Sequence, residues 1–142
     1  MSTLSSAINA SASALDAQRT RMEVAVSNMA NAESTRSANG QPYRRREVVL
    51  ESQSPFEAGF NQHVTQAAGV RVSAVLEDQG EFTKRHEPGH PDADADGNVS
   101  VPNVQVPEEM VDMLGAARAY QANLTAIGLI RDTIQRALDL AK

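Results

Sequence analysis

The last third of the chain, residues 106–142, reads VPEEMVDMLGAARAYQANLTAIGLIRDTIQRALDLAK. A line of side chains repeats through it in steps of four and three, and only one member is not apolar. We call this line the C-terminal seam; its members are Val106, Met110, Met113, Ala117, Tyr120, Leu124, Ile127, Arg131, Ile134 and Leu138. A seven-residue repeat keeps one stripe of a helix against a partner helix. The pattern therefore predicts a long helix that pairs with another helix.

A weaker seven-residue repeat lies at the other end of the chain. Its members are Ile8, Leu15, Met22 and Met29. Alanine is frequent here and neither Gly nor Pro occurs before Gly40, which favours one helix over residues 2–33. Because small residues flank the repeat, this helix would be marginal alone in water. We expect the two end helices to pair as a coiled coil, in a mainly α fold with a small β region.

Short strands are predicted between the two helices. After a polar turn segment at 34–42, Tyr43–Leu50 has the composition of a strand. Val70–Leu76 alternates between apolar and polar residues, which indicates a half-buried strand. We expect Glu81–His86 to return against it as a β-hairpin, across a turn at 78–80.

The remaining segments separate the strands from the last helix. No structure is assigned to 51–69, although Phe56 and Phe60 could anchor a loop there. Residues 87–98 are predicted to form an acidic loop, and 99–106 a short extended piece. Pro107 and the two glutamates after it open the last helix favourably, and we expect it to end near Ala141. These elements suggest three units: an N-terminal helix (1–35), a middle β and loop domain (36–105) and a C-terminal helix (106–142).

Composition narrows the classes of function. The net charge of −5 argues against non-specific binding of nucleic acid. The one basic cluster, Arg44–Arg46, is either an exposed strand start or a contact for an acidic partner. No stretch approaches the roughly 20 apolar residues that span a bilayer. We expect no secretory signal, because the first basic residue is Arg19 and no apolar core follows Met1. The chain has no cysteine. If it is exported, we expect a route without a cleaved leader.

Residues 86–90, HEPGH, match the letters of the zinc-protease signature. That chemistry needs a helix, because only helical spacing places both imidazoles on one face. Pro88 and Gly89 in the middle argue against a helix. We therefore expect two loop histidines here, with a zinc hydrolase as the weakest alternative.

The acidic loop resembles part of a calcium-binding loop. Asp92, Asp94 and Asp96 stand at its first, third and fifth positions and Gly97 at its sixth, but Asn103 occupies the twelfth, where a glutamate is needed. The favoured interpretation is a solvated acidic turn. An acidic calcium-binding adaptor remains an alternative.

The helical repeats are the best candidates for a functional surface. We predict a subunit interface formed by Ile8, Leu15, Met22, Met29, Met110, Met113, Tyr120, Leu124, Ile127, Arg131, Ile134 and Leu138. For each residue the alternative is packing of the two helices within one chain. Arg131 either extends past the edge of the seam or forms a salt bridge with a carboxylate on a neighbouring helix.

Three segments resemble one family, the bacterial flagellar basal-body rod proteins. Residues 28–35, NMANAEST, are similar to a signature near the N-terminus of those proteins. Residues 88–94, PGHPDAD, resemble a loop of the family's proximal-rod member, and residues 101–104, 109–113 and 117–123 resemble its last segment. The motif residues matched are Asn28, Asn31, Pro88, Gly89, His90, Pro91, Asp92 and Asp94.

The resemblance implies a structural subunit of the rod, the shaft that transmits torque for motility, without catalytic activity or cofactor. It implies export through the flagellar type III apparatus without a cleaved signal, and a place in the rod across the periplasm. The implied partners are copies of the chain itself, the rod proteins FlgB, FlgF, FlgG and FliE, the export apparatus transiently and, as a more distant candidate, the MS ring. Nucleic acid and small-molecule substrates are not implied. Another flagellar axial subunit is the alternative within this class.

Overall fold

A computed structural model describes residues 2–37, 39–53 and 69–140. Two long helices lie at the ends of the described chain and four short strands lie between them. The helices are α1, Ser2–Ala30, and α2, Val106–Leu140; the strands are β1, Arg46–Gln53, β2, Gly69–Glu77, β3, Thr83–His86, and β4, Asn98–Val101. The predicted mainly α fold with a small β region is confirmed.

The end of α1 and the start of α2 have local causes. α1 ends at Ala30, three residues before the predicted end, because the N–H groups of Ala32 and Ser34 bond carbonyls three residues back, at 3.3 and 3.0 Å, and the chain turns. α2 begins one residue before Pro107 and carries two glutamates in its first turn. Those carboxylates complement the positive end of the helix dipole.

The two helices pack against each other. Asn28, near the end of α1, donates to Glu109 in the first turn of α2 at 2.9 Å, so the pair runs antiparallel. Among the described elements, α1 is the only helix or strand that packs on α2. Each end helix therefore has the partner that its marginal stability requires.

The strands form two separate antiparallel pairs, β1 with β2 and β3 with β4. The prediction of a hairpin between Val70–Leu76 and Glu81–His86 is wrong. The apolar stretch of β2 pairs instead with the apolar Val48–Leu50 of β1, while the polar β3 pairs with β4, whose Val99 and Val101 are buried. β1 and β2 pair because the half-buried face of one strand packs beside an apolar face of the other.

The first strand is displaced from its predicted position. β1 begins three residues after Tyr43, because the Tyr43 N–H bonds the Ser34 carbonyl at 3.1 Å and belongs to the preceding turn. It also ends three residues after Leu50. A register shift between Val49 and Leu50 leaves Ser73 of β2 without a paired residue.

The β1–β2 pair lies on α1, and a glycine allows its close approach. The Ser13 hydroxyl of α1 accepts the Val70 N–H at 3.0 Å. A Cβ on the preceding Gly69 would lie 2.9 Å from that hydroxyl oxygen, so a larger residue would push the strand away. Residues 54–68, with Phe56 and Phe60, lie outside the described residues.

The interior is small and partly polar. Its buried apolar residues are Ala17, Ala25, Tyr43, Val99, Val101 and Ala116. The largest fully buried side chains are those of Glu109, Val99 and Asn28. In the part of the chain that the structure describes, neither helix has the length and apolar character needed to cross a membrane.

Candidate functional site

Asn28 is the centre of a buried hydrogen-bond network that joins α1, β1 and α2. Its amide nitrogen donates to the Arg46 carbonyl at 2.8 Å and to Glu109 Oε2 at 2.9 Å. Its amide oxygen accepts the Tyr43 hydroxyl and the Arg46 N–H, both at 2.9 Å. The side chain therefore uses both donors and both acceptor positions. We call Asn28, Tyr43, Arg45 and Glu109 the polar latch.

Glu109 carries the negative charge of the latch, and Arg45 carries the positive one. The carboxylate accepts from Arg45 Nε at 2.6 Å, and Arg45 Nη2 lies 3.5 Å from Asp112. The hydrogen bond with Glu109 raises the pKa of the Arg45 guanidinium above its ordinary value, against the opposing effect of burial. A buried charge is tolerated only when it is paired and hydrogen-bonded, and Glu109 meets both conditions.

Asn103 is held by the latch and not by the acidic loop. Its side-chain oxygen accepts the Arg45 N–H at 3.1 Å, while its amide nitrogen is buried without a hydrogen-bond partner among the described residues. Asn103, at the twelfth position of the calcium-loop pattern, is thus bound to Arg45 just before β1.

The acidic loop is docked through Asp92 on the segment that follows α1. The Thr35 hydroxyl donates to one carboxylate oxygen at 2.9 Å, and Arg36 Nη2 lies 3.3 Å from the other. The Asp92 N–H donates to His90 Nδ1 at 3.1 Å. The two segments that carry the family resemblance, 28–35 and 88–94, therefore touch each other. The sequence analysis did not predict this contact.

The other aspartates of the loop have different roles. Asp94 Oδ1 accepts the backbone N–H groups of Asp96 and Asn98, at 3.0 and 2.8 Å, and so closes the turn at Gly97. Gly97 has a φ of 76°, a left-handed conformation that suits glycine. Within 2–37, 39–53 and 69–140, no three His, Cys, Asp or Glu side chains are grouped as a metal site would need.

The HEPGH segment is not helical, as Pro88 and Gly89 predict. It runs from the end of β3 into a series of turns that also contains Pro91. His86 Nδ1 pairs with Asn98 Oδ1 at 3.2 Å across the β3–β4 ladder, whereas His90 lies in the loop. The two imidazoles thus serve different local contacts.

The predicted interface residues fall into two groups. Eight of the twelve are half-buried: Met113, Tyr120, Ile127 and Ile134 on α2, and Ile8, Leu15, Met22 and Met29 on α1. The other four predicted interface residues, Met110, Leu124, Arg131 and Leu138, are exposed. We call Met110, Leu124 and Leu138 the apolar flank.

The side of α2 that faces α1 follows a different line from the predicted seam. Eight buried or half-buried positions advance in steps of four and three: Glu109, Met113, Ala116, Tyr120, Asn123, Ile127, Ile130 and Ile134. The small residues Ala117, Ala119 and Ala126 beside this line are also half-buried. The two lines share Met113, Tyr120, Ile127 and Ile134, and they differ in the members that lie between these four. The sequence analysis found one stripe because it followed the most apolar residues, and it assigned Glu109 only to the opening of the helix.

Comparison with known proteins places these features in a family. Residues 95–140 match the family model described as flagellar basal body rod FlgEFG protein C-terminal. The chain is 41% identical to the flagellar basal-body rod protein FlgC of Bacillus subtilis (strain 168), over 95% of this chain and 96% of that protein. It is 40% identical to FlgC of Salmonella typhimurium over 92% of both chains.

A third relative is matched along the whole chain. FlgC of Agrobacterium fabrum is 39% identical over 100% of this chain and 98% of its own length. Both ends and the middle are thus covered together, in agreement with the resemblance of the separate motifs. The chain belongs to the FlgC family of flagellar basal-body rod proteins, and it is a structural subunit of the proximal rod.

Proposed function

We propose that this chain polymerises through its terminal helices and that the apolar flank of α2 is its main subunit interface. The observation that carries the proposal is the exposure of Met110, Leu124 and Leu138, at 49%, 51% and 59%, on a helix already packed on α1 by another side. Exposed apolar side chains that recur along one line of a helix suit contact with another helix. The half-buried residues of both helices then pack within the chain and border the interface.

Arg131 supports the same interface. It lies between Leu124 and Leu138 along the seam, and within the described residues it forms no salt bridge. A guanidinium in that position is available to a carboxylate on a neighbouring subunit. A paired charge within an apolar seam specifies the register of two helices.

The wider assembly follows from this interface. Contacts between different surfaces of successive subunits generate a helical shaft when the rotation between subunits does not close into a ring. In this arrangement residues 1–35 and 106–142 form the core of the tube, and residues 36–105 face outward. Torque passes through many modest helix contacts repeated around the shaft, and no catalytic residue or cofactor is involved.

The proposed partners are copies of this chain and the other rod proteins FlgB, FlgF, FlgG and FliE, with the MS ring at the base. The proposed route to the rod is the flagellar export apparatus, without a cleaved signal, and the rod then crosses the periplasm. Support comes from the family membership of the chain and from the exposed apolar side chains of its helices.

The interface is tested by Leu124→Asp in a strain of the source bacterium that lacks the native gene. We expect the variant to be exported but not incorporated into the rod, so swimming in soft agar is lost. Leu129→Asp is the matched control, because Leu129 lies on the same helix at 64% exposure but outside the seam. It should retain more motility than Leu124→Asp.

Two measurements accompany swimming. The amount of exported protein separates failed assembly from failed export, and circular dichroism of the purified variants confirms that both helices form. Normal motility of the Leu124→Asp strain would overturn the proposed interface.

A further inference from the structure

α2 packs against α1 with the less apolar of two available sides. Met113, Tyr120, Ile127 and Ile134 are common to both sides. The side that faces α1 adds Glu109, Ala116, Asn123 and Ile130. The outward side adds Met110, Leu124, Arg131 and Leu138, which are exposed, and Ala117, which is half-buried. Burial of apolar area alone would favour contact through the methionine and the leucines. Another interaction must therefore select the observed side.

The polar latch is the interaction that distinguishes the two sides. Glu109 and Met110 are successive residues, and successive residues of a helix point about 100° apart, since one turn contains 3.6 residues. Turning α2 so that Met110 and Leu124 faced α1 would carry the Glu109 carboxylate away from Asn28 and Arg45. Asn28, which is fully buried, would lose an acceptor, and the guanidinium would lose the partner 2.6 Å away.

We propose that the polar latch sets the rotation of α2 about its own axis and thereby keeps the apolar flank turned outward. The latch lies at one end of the helix pair and joins the end of α1, the residues just before β1 and the first turn of α2, so it fixes α2 relative to α1 and to the chain entering β1. Buried polar groups can specify one arrangement among several with similar apolar packing. The use of the outward side by a second copy of this chain rests on the proposed function, but the rotation does not.

The rotation can be measured in the isolated chain by thiol labelling. The sequence contains no cysteine, so Asn123→Cys and Leu124→Cys each introduce one reporter, on the side facing α1 and on the apolar flank respectively. With the latch intact, the maleimide reaction at 124 should be faster than at 123. The ratio of the two rates therefore reports which side of α2 is free.

Asn28→Asp is the variant that breaks the latch, because it places a second carboxylate against Glu109. We expect the rate at 123 to rise and the rate at 124 to fall, so that their ratio drops to unity or below. The double variant Asn28→Asp with Glu109→Gln restores a donor opposite an acceptor between positions 28 and 109 at the same net charge, while the Arg46 carbonyl still lacks its donor. It should return the ratio toward its original value.

Asn9→Asp is the matched control, since it makes the same chemical change at an exposed position of α1. It should leave the ratio unchanged. The proposal is overturned if Asn28→Asp keeps the original ratio with both helices intact. It is also overturned if both rates rise together to those measured in urea, because the latch would then hold the helices together without selecting a side.

These outcomes are independent of those for the rod. A normal response of the labelling rates together with normal swimming of the Leu124→Asp strain would leave the rotation in place and remove its proposed use. An unchanged ratio together with lost swimming would remove the proposed rotation and leave the proposed subunit interface in place.

Discussion

Glu109 and Met110 are neighbours in the first turns of α2, and they have opposite surroundings. The glutamate is 2% exposed within the polar latch, and the methionine is 49% exposed on the apolar flank. In most soluble monomers the glutamate would be outside and the methionine inside. The inversion is consistent with a subunit whose polar interior determines the geometry of one chain and whose apolar surface is completed by other chains.

The largest effect should follow removal of the charge that balances the latch. Arg45→Ala leaves the Glu109 carboxylate buried without its guanidinium. Breaking a buried ion pair in this way costs about 3–5 kcal/mol of stability. We expect a large fall in the urea midpoint of the purified chain, followed by circular dichroism.

Arg71→Ala is the control for that experiment. Arg71 also pairs with a glutamate at 2.9 Å, Glu51, but both side chains are exposed, so solvent screens the pair and its loss should lower the stability very little. Equal losses in the two variants would contradict the contrast between the latch and the surface.

A smaller loss is expected from Tyr43→Phe. The change removes the hydroxyl that donates to Asn28 Oδ1 at 2.9 Å and leaves the ring in place. A buried acceptor that loses one donor costs about 1–2 kcal/mol. Tyr120→Phe on α2 is the control, because its hydroxyl has no hydrogen bond within the described residues. If the two variants unfold at the same urea concentration, Tyr43 is not an energetic part of the latch.

The helices were predictable because their signals are local. A seven-residue repeat and a proline followed by two glutamates act within a few turns of one helix, and both are visible in residues 106–142. Strand pairing is not local in this sense. β2 had two possible neighbours in sequence, and the choice of β1 depended on which one offered an apolar face across the ladder.

Local sequence signals could not predict the latch. Asn28 and Glu109 are 81 residues apart, and each has an ordinary local explanation, one near the end of a helix and the other in a first turn. Nothing in their own segments indicates that they meet in the interior. The one available signal was indirect, since both residues fall within segments that resemble the rod proteins.

A variant of Asp92 shows whether polar contacts outside the latch contribute a comparable free energy of unfolding. Asp92→Asn keeps the size of the side chain but weakens its contacts with Thr35 and Arg36. We expect a loss of about 1 kcal/mol and faster amide exchange at Asn98 and Gly97. Asp96→Asn is the control, because only the backbone of Asp96 takes part in the loop's hydrogen bonds in the described chain. Faster exchange in both variants would show that charge, and not the docking contact, orders the loop.

The smallest effect concerns the exposed pair on the β1–β2 ladder. Hydrogen bonds from Arg71, and then from Ser73, lower the pKa of Glu51 below its ordinary value. A carboxyl with a lower pKa in the folded chain adds stability above its unfolded pKa and loses it as the pH falls through the folded value. Arg71→Ala should therefore raise the pKa of Glu51 in a carbon-13 NMR titration and reduce the acid sensitivity of the ladder. An unchanged Glu51 pKa would mean that solvent already screens the pair, in which case the difference between surface and latch is even larger than the distances suggest.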